Sequence, residues 1–235
     1  MNTKELPAHP SLEQYKKQAK ELLKSAKSGH PEALQHTLRC IKKDHPRFAG
    51  LADLELQGVK LALADAQLVI AREHGFESWP RFAKHIQGLT RRDSPVSKFE
   101  SAVEAVVAGE AAKLEQLLGE DAELVRERST FLHHATLLHY VGANGVENYR
   151  QKTPKNAVRI AEVLLRAGAD INAVADIYGG SDTLGLAATS VWPFLVGVQE
   201  ALIDILLEYG ANLHNERLVN ACLGNGRGQA AEHLA

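Results

Sequence analysis

A short pattern near the middle of the chain, VRIAEVLLRAGADINA at residues 158–173, constrains the fold more than any other stretch. Its apolar positions recur at spacings of three and four, at Ile160, Val163, Leu164 and Ala167. This spacing predicts a helix with one apolar face. Gly168 follows where a left-handed residue can close the helix. Because related segments occur elsewhere in the chain, the pattern predicts a repeated helix and turn.

Four segments in the second half of the chain align on this pattern. They cover residues 101–125, 136–173, 183–215 and 216–235. Each segment combines a short helix rich in small residues, a connection and a second helix. In the first three segments, the second helix is expected to end at Gly119, Gly168 and Gly210 respectively. One helix pair cannot bury both of its apolar faces, so such units are expected to stack in a row.

Two motifs recur at fixed places in these segments. Residues 136–139 read TLLH where the first helix begins, and residues 183–186 read TLGL. Residues 164–172 read LLRAGADIN where the second helix ends, and residues 206–212 read LLEYGAN. These motifs resemble the T-P-L-H and L-L-x-x-G-A-D-x-N motifs of ankyrin repeats, with leucine replacing proline in the first. The resemblance covers residues 98–235, somewhat over half of the chain.

The first part of the chain predicts a small helical domain ahead of the repeats. Residues 1–10 are expected to form an irregular arm, residues 11–88 a helical domain, and residues 89–97 a linker rich in Gly, Pro, Ser and charge. Helices are expected at about 11–28, 31–43, 60–74 and 79–86. Within this domain, residues 11–23 and 63–79 resemble a helical segment that precedes the repeats in some bacterial ankyrin proteins.

The complete prediction is therefore an all-α protein, with an ankyrin-repeat solenoid of about four helix-turn-helix repeats after a small helical domain. The sequence stops at Ala235 within the second helix of the fourth repeat. Because a solenoid needs a cap at each end, this repeat is expected either to continue into further sequence or to be covered by another surface.

Composition limits the compartment and the partners. The net charge of −2 does not favour nucleic acid or an anionic membrane as a partner. The first ten residues lack the apolar core of a signal peptide, and the longest apolar run, at residues 191–198, is too short to span a bilayer. Cys40 and Cys222 are expected to be buried free thiols. These features predict a cytoplasmic protein without a cofactor.

Departures from the repeat length mark the candidate binding surface. Insertions are expected at residues 145–156 and 191–198. Because the repeats stack in register, these two insertions are expected to lie side by side. The turn at residues 173–182 is also longer than in a standard repeat. The residues expected to contact a partner are Tyr149, Arg150, Asp176, Tyr178, Trp192 and Phe194. For the two aromatic residues of the second insertion, the alternatives are an exposed anchor or a plug that folds back over its own repeat.

A histidine cluster is the second candidate feature. His133, His134 and His139 lack the spacing of a metal site, and the resemblance implies a structural role for His139 in hydrogen bonding between adjacent turns. No catalytic motif is present, which favours a protein-binding module without catalytic activity. The alternative is a small-molecule-binding protein or an enzyme (an isomerase, cyclase or hydrolase) with a pocket under the insertions. The three histidines and Asp176 would then be its catalytic residues.

Overall fold

The computed structural model describes residues 3–27, 45, 47–48, 61–213 and 215–235. Within these ranges the chain forms twelve α-helices and two short 3-10 helices, and its one β pairing is an isolated bridge between Ala175 and Ser181. The prediction of an all-α protein is confirmed for this part of the chain. Two compact units divide at Ser94 and Pro95, inside the segment expected to be a linker.

The first unit, residues 3–94, contains three described helices. They are α1 (Leu12–Lys27), α2 (Leu63–Glu73) and α3 (Trp79–Leu89). Tyr15 of α1 packs edge-on against His74, and Phe82 of α3 stacks on the same imidazole at a centroid distance of 5.4 Å. An aromatic cluster therefore holds these helices together. The helix expected at residues 31–43 and Cys40 lie outside the described residues.

The second unit, residues 95–235, contains nine described α-helices. They are α4 (Pro95–Ala108), α5 (Ala111–Glu120), α6 (Leu137–Val141), α7 (Ala157–Arg166), α8 (Thr183–Thr189), α9 (Val191–Val196), α10 (Gln199–Glu208), α11 (Asn215–Gly224) and α12 (Gly228–Leu234). The 3-10 helices lie at Ala122–Val125 and Asn148–Arg150. Residues 95–97, expected in the linker, form the first turn of α4 instead.

Helices of the second unit form four pairs arranged in two layers. The first layer contains α4, α6, α8 and α11, and the second contains α5, α7, α10 and α12. Within each layer every helix contacts the next, and each first-layer helix contacts the partner that completes its pair. One continuous apolar core runs between the layers, and it includes the buried, free thiol of Cys222.

The turns between successive pairs also contact one another. Residues 173–182, which we name the finger, fold back through the bridge between Ala175 and Ser181. Before α6, the amide of Ser129 donates to the carbonyl of Ala135 and closes a similar turn. The amide of Asp176 donates to the carbonyl of His133 over 2.8 Å, so the two turns are joined through their backbones.

The three glycines expected to end second helices have two different conformations. Gly168 and Gly210 adopt φ values of +91° and +89° directly after α7 and α10, as expected. Gly119 instead lies inside α5, exposed and without a positive φ, so the expectation was wrong there. The first pair continues through Glu120 and enters a 3-10 turn, so a left-handed residue is not needed at position 119.

The Gly119→Ala substitution is expected to stabilise the protein by about 0.5–1 kcal/mol, because alanine loses less conformational entropy in a helix. A Cβ atom at this position would meet no atom within 4 Å. Gly210→Ala is the matched control and should instead destabilise the protein, because its φ of +89° strains any residue with a side chain. Urea unfolding of the full chain measures both, and a loss of stability in Gly119→Ala would contradict the assignment.

Candidate functional site

A cleft of about 730 Å³ opens on the first-layer side of the second unit. We name it the groove. Its walls come from the finger, from α8, from the start of α9 and from α11. The side chains that line it include Tyr178, Trp192, Arg217, Asn225 and Arg227. This arrangement places residues far apart in the sequence around one concave surface. Concave surfaces of this size commonly bind ligands or extended segments.

The finger wall of the groove is held by hydrogen bonds between repeats. The hydroxyl of Tyr178 donates to Asn144 Oδ1 over 2.9 Å, and Asn144 Nδ2 donates to Thr189 Oγ1 over 3.1 Å. Tyr178 has a φ of +50° at the tip of the finger, and 71% of it remains exposed. The ring is therefore fixed at its polar end while its face stays accessible.

The second insertion forms helix α9 and not the loop expected from the sequence. Ser190 caps it, with its hydroxyl accepting a hydrogen bond from the Trp192 amide, and Gly197 ends it with a φ of +75°. Trp192 and Phe194 are each 39% exposed, so each ring is covered on one side and accessible on the other. Only Trp192 of the two lines the groove. Both residues are among the exposed large apolar residues of the described chain, which is compatible with the exposed anchor considered from the sequence.

Two arginines give the groove its charge. Arg217 is exposed and forms no hydrogen bond or ion pair with the described residues. The guanidinium of Arg227 lies 4.5 Å from the centroid of the Phe194 ring, and its Nε donates to the carbonyl of Asn225. Its Nη1 is buried without a partner among the described residues. A buried, unused donor is costly unless a ligand or water satisfies it.

Residues 145–147 and Arg150 of the first insertion are buried, which corrects the expectation for Arg150. This residue is only 8% exposed, and its guanidinium lies 2.7 Å from carboxylate oxygens of both Glu100 and Glu104 of α4. Its Nη1 also lies 3.4 Å from Glu147, which is completely buried. Because its donors are engaged inside the protein, Arg150 joins the insertion to α4 and is not an exposed anchor. The half-buried Tyr149 ring lies beside it, 5.5 Å from the guanidinium carbon.

Burial and neighbouring charges act in opposite directions on the pKa values of Glu100, Glu147 and Arg150. Burial raises the pKa of Glu100 to about 7, although Arg150 opposes the shift. Burial would also raise the pKa of Glu147, but His133 and Arg150 outweigh it and lower the pKa. Burial favours the neutral form of Arg150, yet Glu100 and Glu147 raise its pKa above the ordinary value. The guanidinium and Glu147 are therefore charged at neutral pH, while Glu100 titrates near it.

The candidate histidines lie inside the fold or between the turns. His139 is fully buried, and its Nδ1 accepts hydrogen bonds from the amide and hydroxyl of Thr136 at the start of α6. Burial lowers its pKa to about 4. Its Nε2 has no hydrogen-bond partner of good geometry among the described residues. The nearby backbone of Ala173 and Ser181 acts to raise the pKa of His139 and so opposes the effect of burial. The imidazole is neutral and positions the first turn of α6.

The other two histidines connect neighbouring turns. His133 is 2% exposed, and its Nδ1 accepts from the Ala135 amide. His134, with a φ of +47°, places Nδ1 2.7 Å from a carboxylate oxygen of the exposed Asp176 in the finger. None of the four residues considered for catalysis lines the groove. In the described ranges, no three ligand-type side chains converge as a metal site would require.

Sequence reasoning missed the buried network and both groove arginines. The network joins residues 46 positions apart, and such pairing leaves no periodic signal. The spacing of four between Glu100 and Glu104 does place two carboxylates on one side of a helix, and this could have suggested a basic partner. Arg227 lies in the glycine-rich turn between α11 and α12, where no periodic pattern marks one side chain for a role.

No protein-family model matches the chain, and a search of curated proteins finds no match. Among the helices that the structure describes, none has both the length and the apolar character needed to cross a membrane.

Proposed function

We propose that residues 95–235 form an ankyrin-repeat solenoid that binds a protein partner through the groove, without catalytic activity. The observation that carries the proposal is the two-layer row of helix pairs, in which successive first-layer helices and successive turns contact each other. A stack of this kind presents an extended concave surface made of one element from each repeat. The groove lies on that surface.

Exposure along the groove favours a polypeptide over an enclosed small molecule. Tyr178 is 71% exposed and Val174 of the same finger is 55% exposed, so the finger wall is open to solvent. A small-molecule site usually buries most of its ligand, whereas a polypeptide segment needs accessible aromatic and basic side chains. Tyr178, Trp192 and Arg227 provide side chains of these types on one surface. Asp176 of the same finger is exposed outside the groove, and its carboxylate pairs with His134.

Trp192, which lines the groove, and Phe194, whose ring packs on the groove residue Arg227, are expected to contribute the largest share of this binding. Partners can be fixed to the full chain by formaldehyde in its native host, identified by mass spectrometry and then titrated against the purified chain. Replacing both aromatic residues by alanine should weaken binding by about thirtyfold, the effect of a moderate hot spot. The melting temperature should fall by only a few degrees, because both rings are partly exposed.

Leu223→Ala is the matched control, since Leu223 is an exposed apolar residue of α11 that does not line the groove. It should leave the affinity unchanged. If the double variant stayed folded and bound its partner normally, the proposal that these two residues contribute most of the binding would be wrong. If it lost its folded structure, the two aromatic residues would be core residues, and the proposal would be wrong as well.

A further inference from the structure

We infer that the groove takes an acidic segment of its partner, in which a carboxylate side chain lies next to an aromatic or large aliphatic one. The inference rests on the proposed function and specifies the chemistry of the partner. It follows from the charges of the groove, the state of its two arginines and the position of Trp192 between the finger and α11.

The charges lining the groove are unbalanced. Arg217 and Arg227 are its basic residues, and among the described lining residues Asp182 is the one carboxylate. That carboxylate is already used, because Asp182 Oδ1 accepts the Gly185 amide at 2.7 Å and caps α8. Neither arginine forms an ion pair with a described residue. Among the described lining residues, the groove therefore carries two positive charges and one carboxylate, and neither arginine is paired with that carboxylate.

The guanidinium of Arg227 is already oriented for an anion. Its plane packs on Phe194 and its Nε is fixed by the Asn225 carbonyl, so the side chain has lost most of its freedom before any ligand arrives. Nη1 is left buried and unpaired. Arg227 also lines the groove, and a guanidinium held in one orientation binds a carboxylate with little further loss of entropy. The exposed Arg217 can pair with the same group or a second acid.

The apolar part of the groove supplies the second half of the recognition. Val191 and Trp192 line it and are 41% and 39% exposed, and Leu218 of α11 lies on its floor. An aromatic or aliphatic side chain placed here would cover these atoms and exclude water from the neighbouring carboxylate. Electrostatic pairs strengthen when water is excluded. An acid beside a large apolar residue therefore fits both parts of the groove at once.

Selection of random twelve-residue peptides displayed on phage, against the full chain, tests the inference. The selected peptides should be enriched in Asp or Glu within two positions of Phe, Trp, Tyr or Leu. Arg217→Glu is the cleanest variant, because the exposed Arg217 forms no hydrogen bond or ion pair with a described residue, and it should weaken a selected peptide by about tenfold or more. Arg217→Lys should retain most of the affinity, and Arg159→Ala, on the surface of α7, should retain all of it.

Charge reversal provides the strongest form of the test. A chain carrying both Arg217→Glu and Arg227→Glu, shown by circular dichroism to be folded, should select peptides enriched in Lys and Arg. If the double variant does not fold, the same selection with Arg217→Glu alone should show a smaller shift in the same direction.

The outcomes separate the inference from the proposed function. Peptides without acidic enrichment that still lose binding in Trp192→Ala would overturn the inference and leave the proposed function standing. If the selected peptides kept their affinity in every groove variant, or if the selection yielded no binding peptide, both the inference and the proposed function would be contradicted.

Discussion

Replacing Arg150 by alanine is expected to lower the free energy of unfolding by about 3–5 kcal/mol, which is the usual effect of removing one member of a buried ion pair. The guanidinium contacts Glu100, Glu104 and Glu147, and the first and last of these are buried. The loss of attraction is the smaller part of the effect. The larger part is that the buried Glu100 would remain without a counter-charge and that Glu147 would keep only His133, whose Nε2 lies 3.5 Å from it.

The pH dependence of the Arg150→Ala variant should carry the signature of those carboxylates. Without the guanidinium, the folded-state pKa values of Glu100 and Glu147 should rise, and a carboxyl group with a raised folded-state pKa stabilises the protein only while it is protonated. The deficit should therefore be smaller at pH 5 than at pH 8. In the wild type, Glu100 already has a pKa of about 7, so its own contribution declines from about pH 4.5 to pH 7.

Arg159→Ala is the control for this substitution. Arg159 also pairs with two glutamates, Glu115 and Glu162, but it is about half exposed. Because surface ion pairs contribute little, the control should change stability by less than about 1 kcal/mol. Urea unfolding at the two pH values measures both variants. If the two substitutions lowered the free energy of unfolding equally, the ion pairs of Arg150 would not be buried. A loss of stability in Arg150→Ala that does not depend on pH would contradict their burial as well.

Gly145→Ala is the second substitution with a large expected effect, a loss of about 2–5 kcal/mol from backbone strain and overpacking together. Gly145 begins the first insertion with a φ of +72°. A Cβ atom there would overlap the Ile177 side chain of the finger, which is itself buried. The finger would have to move away from the insertion, and Tyr178 at its tip would move with it.

Gly168→Ala separates the two causes of that loss. Gly168 also has a strongly positive φ, +91°, but a Cβ atom there would meet no atom within 4 Å. Strain alone should cost about 1–2 kcal/mol. The difference between the two variants in urea unfolding measures the close approach of insertion and finger. If the two alanine substitutions cost the same, the finger does not pack on Gly145 as the structure shows.

The helix pairs could be predicted because their information is local. Apolar residues at spacings of three and four determine which face of α7 is buried, and Gly168 and Gly210 mark where α7 and α10 end. Gly119 fits the same pattern but lies within α5, because the sequence after the first pair continues in a helical turn. A glycine is permitted at a helix end but does not by itself impose one.

The candidate site was harder to predict because it depends on pairings between distant residues. Arg150 and Tyr149 have the character of a binding hot spot, and only the tertiary fold shows that Glu100 and Glu147 surround the guanidinium. The Ser190 hydroxyl donates to the Ala143 carbonyl, so residues that precede the two insertions are in contact. The repeat pattern could not show that residues 145–147 and Arg150 would be buried while Trp192 and Phe194 stay partly exposed.

Site-directed photocrosslinking in the native host tests most directly whether the groove is the protein-binding surface. A photoreactive phenylalanine analogue replaces Val191 in the groove and, in a second strain, the exposed Lys113 of α5 in the other layer. The proposed function predicts a covalent protein adduct, of the same partner in repeated experiments, from position 191 and none from position 113. Adducts from position 113 alone, or equal adducts from both positions, would contradict it.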